Sequence, residues 1–224
     1  MNKLDVLVDC EASQTVCIEF RKLGHNAFSC DLEDAYGDHP EWHIKGDAID
    51  ALYSRRWDLV IAHPPCDRLA NSGVRWLAER NLWVELDQAI EFFNEFISYG
   101  KKGNAIGIEN PIQHKHARAG IEKYHQLIQP WQFGHPETKA TCLWLYGLPK
   151  LKPTNIVSGR EQRIWKLPPS EDRAKLRSKT YQGIAEAMAI QWSEYLSKPP
   201  RVENQITGDL WEGVNAPYTA TSEI

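Results

Sequence analysis

The residues best suited to chemistry follow a short apolar segment. Residues 59–62 (LVIA) predict a buried strand, and His63, Pro64, Pro65 and Cys66 come directly after it. Each proline fixes its own φ and pushes the preceding residue towards extended backbone, so the chain leaves the strand along a stiff path. A thiol held on a rigid loop at the carboxyl edge of a sheet is a candidate nucleophile.

Polar residues end other predicted strands as well. Asp9, Asp31, Asp47 and Glu109 occupy such positions, as Cys66 does. Because the carboxyl ends of parallel strands meet at one edge of a sheet, we expect these five side chains to line one cleft.

Two of these aspartates lie where a nucleotide-like ligand usually binds. Residues 9–13 (DCEAS) form the first strand-to-helix turn, and Asp31 ends the second strand. A carboxylate at the second position commonly accepts hydrogen bonds from ribose hydroxyls. For either aspartate alone, a role in capping a helix or closing a loop is the alternative.

The elements that must position these residues alternate along the chain. Strands are predicted at residues 4–10, 25–30, 59–62, 104–108 and 141–146, and helices at 14–23, 48–55, 74–99 and 184–196. This alternation predicts an α/β domain over residues 1–197, with a mostly parallel sheet flanked by helices. Residues 198–224, which contain Pro-Pro and many polar residues, are expected to form a loose extension.

The composition is that of an ordinary globular protein, with 42% apolar and 25% charged residues. No apolar run approaches the roughly 20 residues needed to span a bilayer, and the first residues lack a signal-peptide pattern. The five cysteines include no CxxC pair and no spacing that suggests a metal site. These features predict a cytoplasmic protein with reduced thiols and no membrane partner.

Positive charge is concentrated in one segment. The net charge of the chain is −4, yet residues 150–179 carry nine Lys or Arg against three Asp or Glu. This asymmetry predicts a surface that binds phosphate, and a solvated surface segment is the alternative. The candidate phosphate-binding residues are Arg160, Arg163, Lys166, Arg173, Lys175, Arg177 and Lys179. Within the segment, Trp165 is a candidate for stacking on a base, with core packing as an equal alternative.

Pro65-Cys66 follow one predicted strand, and Glu109-Asn110 follow a later one. These two pairs of residues resemble the motifs of the pyrimidine C5-methyltransferases. These enzymes use S-adenosylmethionine on cytosine, mostly in DNA, and have a Rossmann-like fold. Counterparts of the family's motifs follow in the family's order from residue 9 to residue 192. The resemblance is to a compact member, of the kind that phages and prophages carry, without a full target-recognition region.

The resemblance implies a role for each matching residue. Cys66 would add to C6 of cytosine, and Glu109 would serve N3 as a general acid with a pKa raised by burial. Asn110 would hold the loop and Pro65 would orient the thiol. Lys139 and Thr141 stand where the family has paired arginines on a late strand. Two residues apart on a strand they would share a face, from which Lys139 would reach the pyrimidine O2. The candidate S-adenosylmethionine-binding residues are Asp9, Glu11, Ser13, Asp31, Asp47 and Pro64.

The sequence also departs from the family. The first turn lacks the family's glycines, and Asp67 follows the nucleophile where glutamine is usual. Only residues 149–181 separate the last predicted strand from the closing helix, which is too short an interval for a recognition domain. Because flipping a base out of a duplex costs a few kcal/mol, we expect low sequence specificity, a short recognition site, a preference for single strands, or an oligomer or partner that adds surface.

Four functions are compatible with these features. The leading hypothesis is cytosine C5-methylation of DNA, and the second is the same chemistry on a free pyrimidine nucleotide such as dCMP. A non-catalytic nucleic-acid-binding protein with a degenerate methyltransferase fold is the third. The fourth is an amino-methyltransferase, in whose active-site loop an aromatic residue would stand at the position of Cys66.

Overall fold

One mixed sheet organises the computed structural model, which describes residues 2–164, 166–168, 170 and 173–198. Two predictions concern residues outside these ranges. They are the stacking role of Trp165 and, beyond Lys198, the loose C-terminal extension. None of the helices formed by the described residues is long and apolar enough to cross a membrane.

The described residues form seven strands and seven α-helices. The strands are β1 (Asp5–Asp9), β2 (Asn26–Asp31), β3 (His43–Lys45), β4 (Leu59–Ala62), β5 (Ile106–Pro111), β6 (Gln126–Ile128) and β7 (Thr141–Tyr146). The helices are α1 (Thr15–Lys22), α2 (Ala48–Tyr53), α3 (Val74–Glu79), α4 (Trp83–Lys101), α5 (Ala117–Gly120), α6 (Arg173–Ser178) and α7 (Gln182–Leu196). Two short 3-10 helices span Pro40–Trp42 and Pro130–Gln132.

The strand order in the sheet is β3-β2-β1-β4-β5-β7-β6. The first five strands in this order are parallel, whereas β7 runs antiparallel to both of its neighbours, β5 and β6. The predicted α/β fold with a mostly parallel sheet is therefore confirmed. This order, with its one antiparallel strand, is typical of the class I methyltransferase fold.

Alternating residues of the strands build a core on each face of the sheet. On β1, Leu7 packs with α2 and α4, while Val6 and Val8 pack with α1 and α7. Trp144 and Trp192 are among the largest fully buried side chains, one in each core. Burial on both faces explains why the central strands are nearly continuous apolar runs.

The predicted helix over residues 74–99 is two helices. Helix α3 ends at Glu79, and α4 begins at Trp83. Between them Asn81 has a φ of 52°, in the left-handed region that asparagine tolerates better than most residues. The apolar spacing continues through this break, so the periodicity alone does not reveal it.

Gly107 on β5 lies directly beneath the ring of Trp192, which gives a stability prediction. A Cβ at this position would lie 2.7 Å from Cη2 of Trp192, closer than real contacts allow. Because the tryptophan is fully buried, we expect Gly107→Ala to lower the free energy of unfolding by about 1–3 kcal/mol, measured by urea denaturation. Gly46→Ala is the control, since no atom lies within 4 Å of its added Cβ. Equal stability of the two variants would contradict this packing argument.

Candidate active site at the carboxyl ends of the strands

The loop that carries Cys66 is held from both neighbouring strands. The backbone N–H of His63 donates to the carbonyl of Asp9 at the end of β1 (2.9 Å). From β5, Nδ2 of the buried Asn110 donates to the carbonyl of Pro64 (2.8 Å). The carbonyl of Cys66 itself accepts the backbone N–H groups of residues 69 and 70, which closes a tight turn. Cys66 is thus fixed at the sheet edge, half-buried, with the exposed Pro65 before it.

Glu109 forms a buried pair with a histidine. Nδ1 of His63 lies 3.3 Å from Oε2 of Glu109, and the two side chains are only 10% and 14% exposed. Sequence reasoning assigned no role to His63, although it stands at a strand end as Cys66 and Glu109 do. The position before Pro64-Pro65-Cys66 was the signal that could have identified it.

The pKa of Glu109 departs from the expectation. Burial raises the pKa of this carboxyl, but the hydrogen bond with His63, the charge of Lys139 and a contact with Thr141 together lower it below its ordinary value. The expectation of a pKa raised by burial was therefore wrong. The physical reason is that burial is opposed by partners that favour the ionised form.

The thiol of Cys66 shifts in the opposite direction. Burial and then the charge of Glu109 raise the pKa of Cys66, against the positive charges of Lys139 and Arg177, which lower it. The charges of Glu109, Lys139, Asp67 and Arg177 therefore all act on the Cys66 thiol. At neutral pH, Glu109 is ionised and the remaining proton is on the sulfur of Cys66.

Lys139 lies beside this group but not on the strand expected for it. Strand β7 begins at Thr141, so the prediction that Lys139 and Thr141 share a strand face was wrong. The cause is the backbone before β7, where the Thr141 hydroxyl donates to the carbonyl of Lys139 (3.2 Å). Nζ of Lys139 donates to the carbonyl of Arg177 in α6 (2.8 Å). A narrow cleft is lined by Glu109, Lys139, Thr141, Thr180, Tyr181 and Ile184.

The first strand-to-helix turn achieves its shape without glycine. Cys10 and Gln14 have φ values of 57° and 58°, in the left-handed region that glycine normally fills. Asp9 is fully buried, and its Oδ1 accepts the backbone N–H of Cys10 (3.2 Å). Its Oδ2 has no hydrogen-bond partner among the described residues. Burial raises the pKa of Asp9 to about 8, so this carboxyl is mainly protonated at neutral pH.

Three of the candidate cofactor-binding residues make helix-capping contacts. The carboxylate of Glu11 accepts the backbone N–H groups of residues 16 and 17 in α1 (2.8 and 3.2 Å), and the Ser13 hydroxyl donates to the same carboxylate (3.2 Å). Oδ1 of Asp47 accepts the backbone N–H groups of residues 49 and 50 and caps α2. Both oxygens of Glu11 and one oxygen of Asp47 are thus engaged by backbone N–H groups at the starts of helices.

Asp31 and Pro64 occupy different environments. Asp31 is half-buried at the end of β2, where Oδ1 accepts the backbone N–H of Glu33 (3.0 Å). Within the described part of the chain its second oxygen has no hydrogen bond. Pro64 is buried, and its carbonyl is the acceptor for Asn110. Among the described residues, Asp9, Asp31 and Asp47 therefore each retain one carboxyl oxygen without a hydrogen bond, and those of Asp9 and Asp31 lie at the ends of the first two strands.

A loop after β2 covers the first turn and meets the basic helix α6. The backbone N–H of Tyr36 donates to the carbonyl of Ala12 (3.0 Å), and the buried Gln14 side chain bonds both backbone groups of His39. The ring centroid of Tyr36 lies 5.3 Å from Nζ of Lys175. The same helix, α6, accepts a hydrogen bond from Lys139 through the carbonyl of Arg177. It therefore contacts both the loop over the first turn and the lysine that acts on Glu109 and Cys66. Sequence reasoning missed Tyr36 and Gln14, whose contacts depend on this loop.

The basic residues of segment 150–179 fall into two groups, those that contact other protein groups and those whose side chains are exposed. Arg163 pairs with Glu137 (2.8 Å), which also accepts from the Tyr181 hydroxyl, and Arg160 stacks on Trp131 at 3.9 Å. Nε of Arg173 donates to the carbonyl of Leu167 (2.9 Å). By contrast, the side chains of Lys166, Lys175 and Lys179 are exposed, and Arg177 influences Cys66. Among the described contacts, Arg160, Arg163 and Arg173 are therefore engaged by the protein itself, whereas the three lysines are exposed.

Comparison of the sequence with models of protein families and with curated proteins gives no match. Among solved structures, the chain is similar to the methyltransferase EhMeth of Entamoeba histolytica, with 13% sequence identity and a TM-score of 0.41. The match covers 70% of this chain and 58% of the EhMeth chain, so it spans little more than half the length of that protein. At this identity the similarity concerns the fold alone.

Proposed function

We propose that the protein methylates cytosine at C5 in DNA, with S-adenosylmethionine as methyl donor and a covalent bond between Cys66 and C6. The observation that supports this most is the double contact between β5 and the cysteine loop. Neighbouring side chains of β5, Glu109 and Asn110, reach His63 and the Pro64 carbonyl respectively, and so place an acid beside a rigidly held thiol. This pairing of nucleophile and acid is what addition to a pyrimidine ring requires.

The protonation states of Cys66 and Glu109 suit this reaction. Cys66 and Glu109 together hold one proton at neutral pH, and it is on sulfur. As sulfur bonds to C6, this proton passes by way of Glu109 to N3, which neutralises the charge that addition places on the ring. C5 thereby becomes electron-rich enough to take a methyl group. Transfer of the C5 proton to water then breaks the S–C6 bond and restores the ring, and Glu109 takes back the N3 proton and returns it to the sulfur of Cys66.

The residues at the first two strand ends fit S-adenosylmethionine, which when bound supplies an electrophilic methyl group. The buried Oδ2 of Asp9 lacks a hydrogen-bond donor, and Asp31 has an oxygen without a hydrogen bond in the described chain. The cofactor carries ribose hydroxyls, which can donate to Asp31, and a cationic amino group, which would hold Asp9 in its ionised, accepting form in the complex. In this proposal Asp9 and Asp31 bind the cofactor, while Glu11, Ser13 and Asp47 keep the surrounding helices in place.

DNA is the substrate that the exposed basic residues favour. Lys166, Lys175 and Lys179 lie on the segment that borders the site, where phosphates of a strand could be neutralised without reading many bases. A free nucleotide such as dCMP is the second candidate, because the charge of Arg177 acts on Cys66 and could hold a single phosphate. Salt dependence distinguishes the two, since binding to several phosphates weakens steeply with added salt.

The proposal is tested by label transfer from S-adenosylmethionine to duplex DNA, single-stranded DNA and dCMP. We expect label in cytosine C5 of a DNA substrate with the wild type, no detectable label with Cys66→Ala, and retained transfer with Cys17→Ala. Cys17 is a matched control because its thiol is buried in the α1 core. DNA containing 5-fluorocytosine should trap a covalent complex in the wild type, since fluorine at C5 blocks the final elimination.

Three outcomes would change this assignment. Undiminished transfer by Cys66→Ala would exclude the covalent mechanism. Label in dCMP but not in DNA would make the free nucleotide the substrate. Absence of transfer to all three substrates, together with no S-adenosylmethionine binding by calorimetry, would favour the non-catalytic nucleic-acid-binding protein.

A further inference from the structure

His63 pairs with one buried carboxyl group and acts electrostatically on a second. Its Nδ1 is 3.3 Å from Oε2 of Glu109 at the end of β5. It also lowers the pKa of Glu11, in the turn after β1, against the larger effect of burial, which raises it. Its backbone N–H is fixed to the carbonyl of Asp9. The histidine is therefore held in place by its backbone as well as by its ring.

The geometry defines which ring nitrogen carries hydrogen. An ionised carboxylate can only accept, so Nδ1 of His63 must donate to Glu109. The side chain is 90% buried, and Nε2 has no hydrogen-bond partner among the described residues. The histidine engages Oε2 of Glu109, so Oε1, with the Thr141 side chain nearby, is the carboxyl oxygen that a substrate can reach.

We propose that His63 is the positioning residue for Glu109: its Nδ1–H holds Oε2, turns Oε1 towards N3 of the pyrimidine, and stabilises the carboxylate that forms when N3 takes the proton. The inference rests on the proposed function. In this step the proton that Glu109 has taken from the Cys66 thiol leaves the carboxyl oxygen for N3, so the S–H bond is broken, the N3–H bond is formed and Glu109 returns to the carboxylate. His63 keeps its Nδ1–H throughout, and no further reactant is needed. A hydrogen bond to a charged group in a water-poor site is among the stronger ones.

Several ionisable groups face this pair, and a titration must account for them. Glu11 approaches from the β1 turn, Lys139 from the segment before β7, and Cys66 from the same loop. Arg177 of α6 acts on Cys66. Of these, the hydrogen bond from His63 is the largest influence that lowers the pKa of Glu109. Loss of this hydrogen bond should therefore raise the pKa of Glu109 more than the loss of any other of these interactions.

Two variants at His63 separate positioning from simple packing. His63→Asn keeps an amide N–H close to the place of Nδ1, whereas His63→Leu fills similar space without a donor. We expect His63→Leu to move the carboxyl ¹³C titration of Glu109, assigned by comparison with Glu109→Gln, to higher pH, and His63→Asn to move it back towards the wild type. Methyl transfer should fall about 10–100-fold in His63→Leu, and its pH profile should shift with the Glu109 titration. His39→Gln, which removes a histidine from the exposed Glu41, should change neither.

Each outcome decides the inference. An unchanged Glu109 titration in a folded His63→Leu protein overturns it, whatever the activity. Were the wild type inactive on every cytosine substrate, the proposed function would fail, while the carboxyl titration would still decide whether His63 governs Glu109. If His63→Leu does not fold, the ring ¹⁵N spectrum of the wild type decides, because an unprotonated Nδ1 in His63 overturns the proposal and a protonated one supports it.

Discussion

Replacement of Glu109 by glutamine is expected to lower the rate of cytosine methylation by about 10²–10⁴-fold while making the thiol of Cys66 easier to ionise. Glutamine has nearly the same shape but cannot pass a proton to N3, so the charge created by addition at C6 is left on the ring. The same change removes the negative charge that, after burial, contributes most to raising the pKa of Cys66. The methylation rate should therefore fall while the thiol of Cys66 becomes more reactive.

Both quantities are measurable on one preparation. Methyl transfer gives the first, and the pH dependence of iodoacetamide labelling at Cys66, followed by peptide mass spectrometry, gives the second. The exposed Glu79 at the end of α3 provides the control, because Glu79→Gln should alter neither value. A Glu109→Gln enzyme that keeps its rate within a few fold would remove Glu109 from the proton path. A rate loss with an unaltered thiol pKa would show that the two groups are not coupled.

The strands that build the site could be predicted because they are buried on both faces. Leu59–Ala62 and Thr141–Tyr146 are uninterrupted apolar segments between polar ones, and the structure has both at the predicted bounds. Strands β3 and β6 could not be predicted in this way. Each has three residues with polar side chains among them, and each forms because a longer strand, β2 or β7, supplies its hydrogen bonds.

For the site, the sequence predicts only which residues lie together where the carboxyl ends of the strands meet. That rule brought Cys66 and Glu109 to one edge, but it does not say what each side chain contacts there. Glu11 and Asp47 lie near the same edge and cap helices, because the nearest backbone N–H groups satisfy them first. The contact between His63 and Glu109 joins residues 46 positions apart. The direction of the Glu109 pKa depends on that contact, so local sequence cannot supply it.

Asp9 should make the stability of the protein fall as the pH rises, and Asp9→Asn should remove that dependence. The folded-state pKa is raised from 3.8 to about 8, so between these values the folded protein holds a proton that the unfolded chain has released. Stability from this group is complete below about pH 4 and is lost progressively up to about pH 8. At about 1.4 kcal/mol per pKa unit, the loss has an upper limit of about 5–6 kcal/mol.

Urea denaturation of wild type and Asp9→Asn between pH 5 and pH 9 isolates this contribution, because other titrating groups affect both proteins alike. The amide keeps an acceptor for the Cys10 backbone N–H and carries no charge at any pH, so the variant should be the more stable protein at pH 8 to 9. Asp87→Asn, on the exposed side of α4, should instead give a curve parallel to the wild type. Parallel curves for Asp9→Asn would mean that Asp9 is ionised in the folded protein, and would require a donor for the Oδ2 that has no partner among the described residues.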